Sequence, residues 1–255
     1  KNDADSITYG GGIYNIGGTV VITNASVSDN QAKGTSAWGG GIYTANDTSG
    51  SNVKESSVTI GTGANVNNNT ASDKGGGIYN ASGKLFINGG IISGNTATNY
   101  GGGIWSADDA TISSGIIGGT NTSQGNTAMY GGGVYFNGTG KTLFIMGGTV
   151  AYNKTSEKGQ GAGIFIKNGT LEISGSTSIN NNWAAVHGGG IAGGADAVII
   201  INGGSIFSNM AGQNGQGGGI LAGGNVNMTA GTIGGKGQGN TALLGGGINL
   251  LGADK

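Results

Sequence analysis

Residues 75–95 read GGGIYNASGKLFINGGIISGN. A glycine triplet opens the stretch and leads into Ile78-Tyr79-Asn80. A small-residue turn at Ala81-Ser82-Gly83 follows. Lys84-Leu85-Phe86-Ile87-Asn88 then alternates in parity, Gly89-Gly90 changes direction, and Ile91-Ile92-Ser93-Gly94-Asn95 closes the unit. Alternation over such short runs is the signature of strands with one buried face. The stretch therefore predicts three short β segments joined by three corners.

The unit repeats along the chain. Its glycine block recurs nine times, with the following aliphatic at Ile13, Ile42, Ile78, Ile104, Val134, Ile164, Ile191, Ile220 and Ile248. Only Ala162 interrupts a middle glycine. A fixed period near 29 residues marks a solenoid. Aligned units give three apolar columns. They run Val20, Val58, Leu85, Ala110, Leu143, Leu171, Ile199, Val226, then Ile22, Ile60, Ile87, Ile112, Ile145, Ile173, Ile201, Met228, then Val27, Val66, Ile92, Ile117, Val150, Ile179, Ile206, Ile233. The residues between the first two columns include Glu172 and Asn227, so that set points outward.

One unit cannot bury its own inner face, but stacked units bury a continuous core. The sequence thus predicts an all-β, single-stranded, right-handed parallel β-helix of eight to nine coils. At ~4.8 Å per coil the rod is about 40 Å long. One β-helix domain is expected over residues 1–255. The first and last units are ordinary repeats without a polar cap, so a segment of a longer surface protein with flanking coils or domains is expected. An asparagine column accompanies the apolar ones: Asn30, Asn69, Asn95, Asn126, Asn153, Asn182, Asn209 and Asn240. Stacked amides can hydrogen-bond from coil to coil and cap the turn backbone, so a structural ladder is expected.

Composition narrows the function. The chain has 61 glycines, no proline, no cysteine and a formal net charge of −1. All 11 basic residues are lysine, so no basic field for nucleic acid is present. No apolar run is long enough for a spanning helix, and no direct membrane insertion is expected. No metal or cofactor is expected either. The glycine triplets lack the Lys-Ser/Thr ending and the helix of a phosphate loop.

The paired motifs resemble a known family. The glycine-aliphatic block alternates with Ile92-Ser93-Gly94-Asn95, Val150-Ala151-Tyr152-Asn153 and Ile206-Phe207-Ser208-Asn209. This resembles the Gly-Gly-Ala-aliphatic and Phe-x-x-Asn repeats of chlamydial polymorphic outer-membrane proteins. It is also similar to autotransporter passengers and wall-anchored adhesins. Here glycine replaces the family alanine, and valine or isoleucine replaces the phenylalanine. The resemblance covers almost the whole chain and implies a bacterial, extracellular, surface-displayed or secreted adhesin.

Two partial aromatic columns flank the glycines. Tyr14, Tyr43, Tyr79, Trp105, Tyr135 and Phe165 follow the repeat aliphatics, and Tyr9, Trp38, Tyr100 and Tyr130 precede the glycine blocks. With the aliphatics inside, these rings face outward. They predict either a glycine-floored, aromatic-edged groove for a glycan or host protein, or an aromatic stack that only stabilises the face. The leading expectation is a non-catalytic extracellular adhesin or binding segment. One alternative is a pectate-lyase-like carbohydrate-active enzyme with its site in the longer loops, 45–57 and 118–125. Such an enzyme needs clustered carboxylates. Here only Asp108 and Asp109 are adjacent, and Asp47 and Asp196 fall in other coils too far along the rod to join them. Glu172 stands alone, and the lone His187 has no carboxylate partner near it in sequence, so no catalytic residue is expected. A purely structural stalk is another alternative. An ice-binding face fits poorly, because the threonines Thr70, Thr96, Thr127 and Thr241 form only a partial column.

Overall fold

The computed structural model describes residues 8–252. These residues form a parallel β-solenoid of about eight turns, in which every strand pairs with its counterpart one turn away. The repeat aliphatics define the first ladder, with Ile13, Ile42, Ile78, Ile104, Val134, Ile164, Ile191, Ile220 and Ile248 in direct register. The second ladder aligns Val20, Val58, Leu85, Ala110, Leu143, Leu171, Ile199 and Val226. The third aligns Val27, Val66, Ile92, Ile117, Val150, Ile179, Ile206 and Ile233. The columns read from the sequence are therefore the strand registers. Their inner residues form one continuous core along the rod.

A fourth ladder of mostly two-residue strands forms a separate seven-stranded sheet, through Gln31–Ala32, Thr70–Ala71, Thr96–Ala97, Thr127–Tyr130, Lys154–Gln160, Trp183–Ala184 and Met210–Ala211. The corner at Gly89-Gly90 also bends the chain without breaking it. The strand Lys84–Ser93 runs through both glycines, with register shifts on either side of Asn88.

The glycine block and the asparagine column are two halves of one contact. A Cβ on the third glycine would meet the side-chain amide of the ladder asparagine: Gly77 against Asn95 at 3.0 Å, Gly103 against Asn126 at 3.0 Å and Gly190 against Asn209 at 3.0 Å. It would also come within 2.6 Å of the next turn's carbonyl at Gly77. A side chain at this position would thus displace the amide or the neighbouring turn, so in this chain the block and the asparagine column fit together only with glycine there. The first glycine serves a different need. It holds φ near +60°, for instance +62° at Gly75, where an L side chain is strained.

The freed amides form an unbroken ladder. Asn95 shows the pattern: its Nδ2 donates backward to Val66 O (2.8 Å) and forward to Asn126 Oδ1 (3.0 Å). Its backbone N–H donates to the same Asn126 oxygen (3.0 Å). The previous turn's Asn69 donates its N–H and Nδ2 to Asn95 Oδ1. The pattern recurs from Asn30 to Asn240. Asn69, Asn95, Asn126, Asn153, Asn182 and Asn209 are fully buried. Burying amides is costly unless both ends are bonded, and here they are.

Candidate functional site

The outward aromatic column was the leading candidate, and its geometry differs from an open groove. On the first ladder the aliphatic points into the core, so the next residue points away from it. Tyr43, Tyr79, Trp105 and Tyr135 do so, yet they are buried: Tyr79 is 5% exposed, Trp105 7% and Tyr135 6%. They form a second hydrophobic cluster, separate from the main core. In-register pairing stacks the rings along the rod, with centroids 5.3 Å apart for Tyr43–Tyr79, 4.2 Å for Tyr79–Trp105 and 5.3 Å for Tyr135–Phe165.

The second column closes over the first. Trp38 stacks on Tyr79 at 5.1 Å, Tyr100 tilts against Tyr135 at 4.8 Å, and Tyr130 meets Phe165 edge-on at 5.3 Å. The glycines between the columns, such as Gly75, Gly76 and Gly77, are buried. Lys74 takes the place of a ring in this second column, its Nζ lying 4.8 Å from the Trp38 ring. Asp73 fixes the edge by accepting from Trp38 Nε1 (3.0 Å) and Asn99 Nδ2 (2.9 Å). Burial raises the hydroxyl pKa values of Tyr79, Tyr135 and Tyr43, helped by neighbouring tyrosines. Tyr14, at 58% exposure, and half-buried Trp38, Tyr100, Tyr130 and Phe165 keep some surface to solvent.

The residues an enzyme could use do not converge. Among the described residues no three His, Cys, Asp or Glu side chains share one point. Asp108 and Asp109 tie neighbouring turns together. Asp108 accepts from the Gly83 amide of the preceding turn (3.0 Å), and Asp109 accepts from Thr142 N–H of the following one (2.8 Å). Partial burial pushes the Asp108 carboxyl up, but hydrogen bonds from Lys141 and the Gly83 and Asp109 amides outweigh it and hold the pKa below the ordinary value. His187 lies in register with Gln160, and its Nδ1 accepts from Gln216 N–H (3.1 Å). Its pKa is lowered by burial. Asp47 and Lys54 pair as the neck of a small hairpin within loop 45–57. Loop 118–125 is braced internally by Asn121 and Gln124.

One groove escaped the sequence reading. The outward side chains of the fourth ladder run Gln31, Thr70, Thr96, Thr127, Lys154, Trp183 and Met210, and Thr241 bridges to Met210. A tryptophan and a methionine thus interrupt a polar, threonine-rich column. That interruption was the available signal, hidden because the two-residue strands were not recognised.

Residues 64–81 match the family model of the Chlamydia polymorphic membrane protein repeat. The solenoid therefore contains a polymorphic membrane protein repeat. The matched stretch spans the inward Val66, the ladder Asn69, the Thr70–Ala71 strand, the glycine block at Gly75–Gly77 and the aromatic Tyr79. It contains the asparagine and the glycines whose packing builds each turn. The repeat family suggests an outer-membrane or surface location. No curated protein and no solved structure matches the chain.

Proposed function

We propose that this chain is a non-catalytic, extracellular segment of an adhesin-type surface protein, and that the segment itself serves as a stiff display rod. One observation carries the reading: the aliphatic, asparagine and most of the aromatic columns of the sequence are consumed by stacking one turn on the next. The aliphatic columns fill the core, the asparagines bond turn to turn, and most of the aromatic column is buried under its own neighbours. A repeat whose main columns are used this way encodes length and stiffness. Rings with faces pressed together offer a ligand only their edges. The scattered acids and the backbone-bonded His187 support a non-catalytic role.

The test compares the chain with a Tyr79→Ala/Trp105→Ala/Tyr135→Ala variant. Stability, binding to host glycans and proteins, and polysaccharide breakdown are measured on both. The expected result is a large fall in melting temperature, no ligand whose binding depends on these rings, and no breakdown by either protein. A variant that stays as stable as the parent but loses a bound ligand would make the aromatic face a binding site. Polysaccharide cleavage by the parent would overturn the non-catalytic reading.

A further inference from the structure

The chain has eight tyrosines and three tryptophans, and all but two of them stack in the aromatic cluster. The two exceptions, Tyr152 and Trp183, line the same groove. It has a volume of about 560 Å³, and its walls include Asn181, Ser208, Met210 and Thr241. We propose that this groove is a binding site for a neutral glycan. The proposal adds a ligand to the rod and does not depend on the display role.

Exposure is the first argument. Trp183 is 42% exposed and Met210 44%. The other two tryptophans are half-buried or buried. Trp183 is flanked by Lys154 on the preceding turn and by Met210 and Thr241 on the two that follow, so its exposure is not that of a terminal turn. A large flat ring held on a sheet and left in water offers its face to a ligand.

Backbone strain is the second argument. Tyr152, Asn181 and Ser208 occupy equivalent corners of successive turns, with φ of +59°, +52° and +52°. The same corner holds Asn68 and Gly94 in earlier turns, also at positive φ. Asparagine and glycine suit that conformation, whereas a bulky tyrosine is strained there. Tyr152 joins no ring stack and, among the described residues, its hydroxyl makes no hydrogen bond. The turn imposes that conformation on whichever residue sits there, so what the fold does not require is the tyrosine itself. A bulky ring kept at a strained corner points to a role for the side chain in binding.

The wall chemistry selects the ligand. No charged side chain lines the groove. Among the described residues, the Tyr152, Ser208 and Thr241 hydroxyls and Trp183 Nε1 make no hydrogen bond. Asn181 donates from Nδ2 to Asn180 Oδ1 (2.7 Å), which leaves its own Oδ1 available. The groove thus pairs an apolar ring face with uncommitted neutral donors and acceptors on a rigid support. A sugar ring has the matching surfaces, an apolar C–H face and equatorial hydroxyls. An apolar peptide would leave these polar groups unpaired, at a cost.

The test titrates the folded chain with chitohexaose, mannohexaose, cellohexaose and laminarihexaose, read by tryptophan fluorescence and calorimetry. At least one of these is expected to bind saturably. Trp183→Ala should weaken that binding at least tenfold with an unchanged circular dichroism spectrum, and Trp183→Phe should retain part of it. Tyr152→Asn gives two readouts of opposite sign: a higher melting temperature from relieved strain, and weaker sugar binding. A panel that shows no binding, or binding that survives Trp183→Ala unchanged, would overturn the proposal. So would capture of an apolar peptide in place of any sugar.

Discussion

Asn126→Ala tests the ladder at its middle. Asn126 Oδ1 accepts from Asn95 N–H and from Asn95 Nδ2, each at 3.0 Å. Its own Nδ2 donates to Ile92 O at 2.8 Å and to Asn153 Oδ1 at 3.0 Å. Alanine removes all four bonds. Asn153 Oδ1 keeps one donor, the Asn126 backbone N–H. Asn95 has no such substitute, so two donors inside the rod lose their acceptor, at about 1–3 kcal/mol each. The lost bond to Ile92 O and the void left by the amide add to this, and the total is at least about 3 kcal/mol. Asn126→Asp refines the test. It keeps both bonds from Asn95 but turns a carboxylate oxygen toward the Ile92 and Asn153 oxygens. Burial and these oxygens raise the folded pKa of the new carboxyl above its unfolded value. The aspartate variant is therefore destabilised at neutral pH and regains stability as pH falls through the folded pKa. Urea unfolding followed by circular dichroism gives the stability, and hydrogen exchange at the Asn95 amide locates the damage. An alanine variant that loses less than about 1 kcal/mol, or that keeps Asn95 protected, would mean that the ladder does not hold the turns together.

Two further outcomes follow from the same structure. Gly103→Ala places a Cβ 2.7 Å from Gly133 O and 3.0 Å from the Asn126 amide, so it should cost about 1–3 kcal/mol by urea unfolding. The penalty should shrink in an Asn126→Ala background, because the two residues share the contact. His187 is the only histidine, and burial lowers its pKa. The unfolded chain then takes up the proton first as pH falls below 6.5, so stability declines between the unfolded and folded pKa values, and His187→Gln should flatten that part of the profile.

The fold was legible because a solenoid places its contacts between positions one period apart. Val66, Ile92 and Ile117 neighbour each other in space for the same reason that they align in sequence. The asparagine ladder was legible on the same ground. The fourth ladder was not, because a segment such as Thr96–Ala97 is too short to show any alternation. A further inward position was hidden by mixed chemistry. Asn15, Thr44, Asn80 and Ser106 fill it in the early turns and Phe136 and Ile166 in later ones, so no apolar column announces it. For the candidate site, the parity of Tyr79 and Trp105 was read correctly, but their burial depends on rings such as Trp38 that fold over from a different segment. Trp183 was missed because its neighbours in the column, Lys154 and Met210, share no residue type with it.

Each turn lies in parallel register on the next, and disulfide trapping reads that register. Thr70 and Thr96 are paired, exposed neighbours on the fourth ladder, and the chain has no cysteine of its own. Parallel neighbours lie ~4.8 Å apart, inside the Cα range of a disulfide, whereas Thr70 and Thr127 are two turns apart at about 10 Å. Thr70→Cys/Thr96→Cys should form an intramolecular disulfide in the folded chain, and Thr70→Cys/Thr127→Cys should stay reduced. A reduced first pair, or a second pair that oxidises as readily, would contradict that register.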